Sequence, residues 1–526
     1  MGSSPRAQRI SLRQYRRFRR YFLVACAGLL LLMRLRTWAE PPETDLATYW
    51  LVARELLHGK RLYSEVWDIK PPAVYWTYAA GAWLSDNPFL ARYLLWCVAS
   101  TLALLGIFQL TRKLYRSESG GILAAALWTL VAADCWLQAN QPNAEVFMNV
   151  CAVWGLAALV NCQSNAGSNR WAFLGGILLA LGSLYKTVMM AHIVVFWIVL
   201  VLSRLRRASS QKVSALNLIG SFTAGAALPW VLFLVNAVWQ GTLAEAYATL
   251  FYWGRAYTHN PLSNIFAALV PSRVVPHAAN NVLPAIVLAL VGIFHLLQTP
   301  RRQGTEWLAG WTAATFLAYS LPGRFYPHYY QLWLPLLCVL ASATVLGIRR
   351  LSATRDRLRL RLLVGGLVLT QALVQLPFYL RSAETWSLAK YGPAFIEQYR
   401  QGRELQRYLA PDETLYVWGT APTLYEAANR RPASGIFFVI PLLWGPTTET
   451  LTRRALQDLR RTQPELIAID RKDVPSPPAH PIVQWFYANY VAHPDLPPLG
   501  DRFRLYCRKH GNLQSRLANK LWNAAP

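Results

Sequence analysis

Residues 53–72 read ARELLHGKRLYSEVWDIKPP, and an aromatic-rich segment follows from Ala73. The stretch is charged and aromatic at once. Upstream of it, Asp45 begins a predicted helix with Leu46, Tyr49, Trp50, Ala53, Leu56 and Leu57 at helical spacing, and His58-Gly59 ends it, glycine acting as the stop. Lys70-Pro71-Pro72 is a second boundary. A residue before proline is held extended, and proline suits the first turn of a helix. Lys70 is therefore expected just ahead of a helix N-terminus, whose free N–H groups and partial positive charge favour phosphate.

On either side the chain changes character. Apolar runs lie near 20–36, 89–111, 119–137, 145–161, 171–187, 189–203, 216–238, 282–298, 307–321, 329–347 and 362–380. A helix needs about 20 apolar residues to cross the hydrocarbon. The reading is about 11 spans, and the amphipathic segment within 34–88 lies along the membrane surface. The first run resembles a signal peptide, but no small-residue cleavage site follows it, so it counts as the first span. The alternate loops 1–20, 112–117, 161–170, 203–214, 299–306 and 348–361 hold 23 Lys and Arg in 70 residues. The others (34–88, 137–145, 185–190, 238–281 and 322–328) hold 10 in 121. This roughly fourfold difference in density puts the first set, with the N-terminus, in the cytoplasm. The long loops 34–88 and 238–281 and the C-terminal segment then face outward. A plasma (inner) membrane location is expected.

Composition agrees. Hydrophobic residues make up 54% of the 526 and charged residues 15%, well below the roughly 25% of soluble domains. The net charge of +27 does not indicate nucleic acid, because the basic residues cluster in short loops between apolar runs. The seven cysteines form no CxxC pair and indicate neither a zinc site nor a disulfide framework. Residues 381–526 return to soluble composition. Thr414–Thr420, Pro464–Asp470 and Arg502–Arg508 read as strands, and 447–463 has helical spacing. The fold class is mostly α, a polytopic transmembrane domain over 1–380 (first outer loop 37–88) followed by a small extracytoplasmic α/β domain over 381–526.

Acids and cations gather on the outer side. Asp45, Asp68 and Lys70 lie in the first outer loop, Glu145 opens the fourth run, and Lys186 lies at an outer turn. The segment Arg324-Phe325-Tyr326-Pro327-His328-Tyr329-Tyr330 opens the tenth run. Each has a plainer reading as well. Asp45 could cap its helix and Glu145 the fourth; Lys70 could be a snorkelling surface lysine; His328, Tyr329 and Tyr330 could form an interfacial belt; Arg255 and Arg324 could face lipid headgroups.

The first-loop Asp45, the run Gly59, Leu62, Tyr63, Trp67, Asp68, Lys70, Pro71 and Pro72, the Asn143-Ala144-Glu145 triplet and the Pro327–Pro335 run together resemble the polytopic glycosyltransferases of the GT-C fold. The pattern is similar to glycosyltransferase family 39, which includes protein O-mannosyltransferases and the lipid A aminoarabinose transferase. The resemblance covers about 340 residues and reaches the C-terminal segment only loosely. It implies a polyprenyl-phosphate sugar donor, a lipid, glycan or protein acceptor, and inversion at the anomeric carbon. It places the general base on Asp45 and the donor phosphate on Lys70, with Arg255, Arg324 and Tyr329 as further phosphate contacts. Glu145, Asp68, His328, Tyr330 and Lys186 are substrate-binding candidates. No cofactor is expected. A divalent metal at Asp68 or Glu145 is conceivable, but no full ligand set is visible.

A transporter or flippase of a lipid-linked substrate would carry charges deep in its spans and internal symmetry, and neither is found. A membrane scaffold leaves the first-loop run unexplained. An oligosaccharide ligase using a diphosphate carrier is the nearest enzymatic alternative.

Overall fold

The computed structural model describes residues 12–162, 168–205, 212–298, 304–473 and 479–519. The basic loops at 1–20, 161–170, 203–214 and 299–306 fall wholly or partly outside the described residues. Every apolar run coincides with helix. Helix α1 (Leu12–Arg34) is followed by α2 (Thr44–Leu57), which is largely buried, and α3 (Ala73–Leu84), which is half-buried. Then come α4 (Pro88–Leu114), α5 (Glu118–Val131), α6 (Ala144–Asn161), α7 (Ser168–Ser183), α8 (Met190–Leu205) and α9 (Lys212–Trp239). Six helices among the described residues are long and apolar enough to cross a membrane by themselves. Helix α5 is shorter than its apolar run because the chain turns at Asp134, whose Oδ1 accepts the Leu137 N–H at 2.8 Å.

The second long loop folds as short pieces: α10 (Leu243–Tyr247), a π-helical turn (Ala248–Trp253), α11 (Gly254–Thr258), α12 (Pro261–Ala268) and α13 (Pro271–Val274). Helices α14 (Leu283–Leu297) and α15 (Thr305–Ser320) follow. The run after them breaks into a 3-10 turn (Pro327–Leu332), α16 (Trp333–Ala341) and α17 (Thr344–Arg350), and α18 (Thr354–Tyr379) completes the bundle. Glycines set the closest helix approaches. A Cβ on Gly176 of α7 would lie 2.3 Å from Phe222 O of α9, and one on Gly225 would lie 2.1 Å from Phe173 O. Small residues let membrane helices approach to backbone contact in this way.

The C-terminal segment begins with α19 (Ala383–Tyr391) and α20 (Ala394–Leu405). Its sheet holds β1 (Leu415–Trp418), β2 (Leu466–Asp470), β3 (Tyr490–Val491) and β4 (Phe503–Arg508), in the order β1-β2-β4-β3. Strand β1 pairs parallel to β2, and the other pairings are antiparallel. Helices α21 (Pro422–Ala428), α22 (Ile440–Leu443) and α23 (Thr448–Thr462) lie between β1 and β2 in the chain, the long crossover that a parallel pair requires. Helices α24 (Pro481–Asn489) and α25 (Asn512–Ala518) complete the segment.

This segment is fastened to the first loop and to α4. Arg92 on α4 donates to both carboxylate oxygens of Glu426 on α21 at 2.8 and 2.9 Å, with both side chains buried. Arg431 does the same to Glu55 on α2 at 3.0 and 3.1 Å. Lys390 on α19 pairs with Glu40 at 2.6 Å.

Candidate active site

Helix α2 is capped by Glu43, not by Asp45. The two Glu43 oxygens accept the backbone N–H groups of Asp45 and Leu46 at 2.9 and 3.2 Å. This leaves the Asp45 carboxylate free for other partners in the first turn, where the helix field favours a negative charge. Its Oδ1 accepts from Lys70 Nζ at 3.0 Å and its Oδ2 from the Tyr49 hydroxyl at 3.3 Å. Lys70 reaches it because Pro72 stands at the cap of α3 and because Tyr63, with a φ of 69°, turns the loop back. The Tyr63 hydroxyl donates to the Lys70 carbonyl at 2.9 Å. Asp68 Oδ2 accepts from the Tyr75 hydroxyl at 2.5 Å.

A second acid–base pair stands beside the first. Glu145, in the first turn of α6, pairs with Lys186. The Lys186 ammonium also lies 4.4 Å from the Tyr329 ring centre, a cation–π contact. Glu145 Oε2 is buried and has no hydrogen-bond partner among the described residues. His328 Nδ1 meets Gln138 Oε1 at 3.0 Å, and the Tyr329 and Tyr257 hydroxyls are 3.4 Å apart. Arg324 stacks over the Tyr257 ring at 4.6 Å.

The charged groups among these, with Tyr257, His328 and Tyr329, line one cavity of about 690 Å³, within the usual size of small-molecule sites. Its electrostatics are set by crowding. Burial works against the Asp45 charge, but Lys70, Lys186 and His328 outweigh it and hold the carboxyl well below the usual carboxylate range. Burial likewise works against the Lys70 ammonium, and Asp45 and Asp68 outweigh it in turn, so Lys70 stays protonated. Glu43 goes the other way. Burial and the adjacent Asp45 charge push it up to about 8, against the pull of its two backbone hydrogen bonds. The site therefore holds a fixed carboxylate and fixed cations facing a shared space.

Residues 69–239, about a third of the chain, match the sequence family described as dolichyl-phosphate-mannose-protein mannosyltransferase. That segment takes in Lys70, Glu145 and Lys186. No curated protein matches the chain by sequence. Among solved structures, ArnT from Cupriavidus metallidurans in the apo state is 16% identical, with a TM-score of 0.56 over 94% of this chain and 98% of that one. The same protein bound to undecaprenyl phosphate gives 0.54 at 16% identity, with the same coverage. The archaeal oligosaccharyltransferase AglB from Archaeoglobus fulgidus, in complex with an inhibitory peptide and a dolichol-phosphate, gives 0.54 at 14% identity over 94% of this chain and 74% of that one. The fold is GT-C.

A GT-C chain is a multi-pass membrane protein, in keeping with its apolar helices. Within that fold, Asp45, Asp68, Lys70, Glu145, Lys186, Arg324, His328 and Tyr329 all line the single cavity described above. Two residues do not. Arg255 opens onto a separate surface depression with Tyr252, Ala256, His259 and Pro446. Tyr330 is buried, and its hydroxyl donates to the Arg273 carbonyl at 2.8 Å, so it braces the loop. Glu43 also lines the cavity, and the sequence signal for it is an acid two residues before Asp45, in capping position. The C-terminal segment also supplies Tyr391, Phe395, Thr420, Phe438, Ile440, Pro441 and Trp444 to the wall; nothing local in the sequence marks them.

Proposed function

We propose that this chain is an inverting glycosyltransferase. It moves a sugar from a polyprenyl-phosphate carrier to an acceptor on the outer face of the plasma (inner) membrane. The Asp45–Lys70 pair on the wall of a cavity that also holds Lys186 and Arg324 carries this reading. The likeness to ArnT supports it, since one ArnT structure is bound to undecaprenyl phosphate.

The residue types suit the reaction. An acceptor oxygen attacks the anomeric carbon, the bond from that carbon to the phosphate oxygen breaks, and its electron pair leaves with the phosphate. Lys70, with Lys186 and Arg324, stabilises that growing charge, so no general acid is needed. Asp45 takes the proton of the acceptor hydroxyl. Glu145, whose Oε2 has no partner among the described residues, holds a substrate hydroxyl. The scheme needs no cofactor and no metal. The skewed loop charges support a cytoplasmic N-terminus and an outward C-terminal segment, and labelling of single cysteines placed at residues 5 and 520 with an impermeant reagent tests this.

A second reading, transfer of an oligosaccharide from a diphosphate carrier, is favoured by the likeness to the oligosaccharyltransferase AglB. One experiment addresses both. Purified protein in lipid nanodiscs is offered a panel of polyprenyl-phosphate sugars and lipid-diphosphate oligosaccharides. Release of polyprenyl phosphate from a monosaccharide donor by the wild type, but not by Asp45→Asn or Lys70→Ala, supports the first reading. Consumption of diphosphate donors alone supports the second. No consumption of either overturns both.

A further inference from the structure

The cavity has one wall that the scheme above does not use. Trp67 from the first loop, Trp253 from the π-helical turn and Trp444 from the C-terminal segment pack in a row. Their ring centres are 5.1 Å apart (Trp67–Trp253) and 5.3 Å apart (Trp253–Trp444). Trp67 and Trp253 are buried, and each indole N–H is satisfied: Trp67 donates to Thr249 Oγ1 at 3.1 Å and Trp253 to Thr447 Oγ1 at 2.7 Å. Trp444 differs on both counts. It is 42% exposed, it lines the cavity, and its indole N–H has no partner among the described residues.

The Trp444 ring is held from behind. It follows α22 directly, and its backbone N–H caps that helix at Ile440 O. The next residue, Gly445, has a φ of 121°, and a Cβ there would lie 2.1 Å from the Trp253 ring. Only glycine lets the chain turn against that indole. The π-helical turn that presents Trp253 is itself a rare geometry, frequent at functional sites. A large apolar side chain left half-exposed, on a stiff support, in a cavity that also holds fixed charges, is a recognition surface.

We propose that Trp444 is a stacking platform for a sugar ring in this cavity. One face of a pyranose carries axial C–H bonds polarised by the ring oxygens, and such a positive face suits the negative π-face of an indole. The free indole N–H adds a donor for a hydroxyl at the ring edge. The origin of the sugar, donor or acceptor, rests on the glycosyltransferase reading; the subsite itself stands on the wall geometry.

Saturation-transfer difference NMR on the full-length protein in nanodiscs tests this with methyl glycopyranosides of mannose, glucose and arabinose as probes. At least one glycoside is expected to show transfer concentrated on the C–H protons of one face. Trp444→Ala should weaken its binding about tenfold, the order of a single ring stack, and Trp444→Phe should keep part of it. Preloading with undecaprenyl phosphate separates the sources. Persistence of the signal assigns the platform to the acceptor's sugar, and its loss assigns it to the donor's. Equal transfer in wild type and Trp444→Ala overturns the proposal, as does a Trp444→Ala defect confined to dodecyl phosphate, which would mean an alkyl-chain site. Because the readout needs no turnover, a glycoside bound through Trp444 by a protein that consumes no donor leaves the platform standing while the glycosyltransferase reading fails.

Discussion

Lys70 Nζ lies 3.0 Å from Asp45 Oδ1 and 4.9 Å from the centre of the Tyr49 ring. The cation proposed to hold the donor phosphate and the carboxylate proposed to take the acceptor's proton are thus one ion pair. A phosphate bound at Lys70 shares the ammonium's field with Asp45, so the affinity of Asp45 for a proton rises as the donor arrives. Asp45→Asn should leave donor affinity nearly intact and lower kcat by about 10²–10⁴-fold, the usual contribution of a positioned base. Lys70→Ala should raise the donor KM and lower kcat together. Initial rates with varied donor separate the two patterns, and unchanged kcat in Asp45→Asn would remove that residue from the chemistry.

Glu43 gives the site a pH signature. Its carboxyl is pushed up to about 8 by burial and by Asp45, while an unfolded chain ionises it near about 4.3. Because the folded state holds the proton more tightly, the stabilisation is complete below the unfolded value and is lost as pH rises through the folded one. Glu43→Gln cannot ionise, so its melting temperature should depend less on pH between 5 and 9 than that of the wild type. Parallel profiles for the two proteins would show that Glu43 does not titrate there. Asp45, held low, should contribute no acidic limb to activity in the same window.

Asp68 and Glu145, the acids most open to a metal role, already have partners in Tyr75 and Lys186. Treatment with EDTA followed by gel filtration should leave donor turnover within about twofold of the untreated rate, too small a change to reflect a lost catalytic interaction. A loss restored by a single divalent metal would reassign those acids.

Arg92 and Glu426 form a buried two-point contact between α4 and the C-terminal segment. Removing one partner strands a buried charge and costs about 3–5 kcal/mol. Arg92→Ala should therefore lower the melting temperature strongly. The double variant Arg92→Met with Glu426→Leu should recover much of the loss, because an apolar pair leaves no uncompensated charge. No recovery in the double variant would mean that packing, not charge, holds the junction.

The placement of Asp45 and Lys70 on one cavity was legible because both lie within one short segment, where a helix start and two prolines fix local geometry without help from the rest of the chain. The helical runs were legible because lipid imposes length and composition on each span. Boundaries failed where tertiary contacts intervene. Helix α5 stops at Val131 because Asp134 makes a turn, which hydropathy does not report. The tail-borne wall was invisible for the same reason. Trp444 meets Trp253 across 191 residues of chain, and no local pattern encodes such a contact.

Gly435 tests whether the tail shapes the site. A Cβ there would lie 1.7 Å from Glu65 O, and the Gly435 carbonyl accepts the Trp67 N–H at 3.0 Å. Backbone meets backbone at this point, so no side-chain rotamer can relieve the clash. Gly435→Ala must push the C-terminal segment off the first loop, moving Phe438, which packs 6.0 Å from Trp67, along with the wall that carries Trp444. Asp45 and Lys70, fixed by α2, Tyr63 and the two prolines, stay in place. The variant should keep donor binding, show faster proteolytic release of the tail, and lose transfer to the acceptor. Equal loss of donor binding and transfer would mean that the tail supports the whole cavity and not the acceptor side alone.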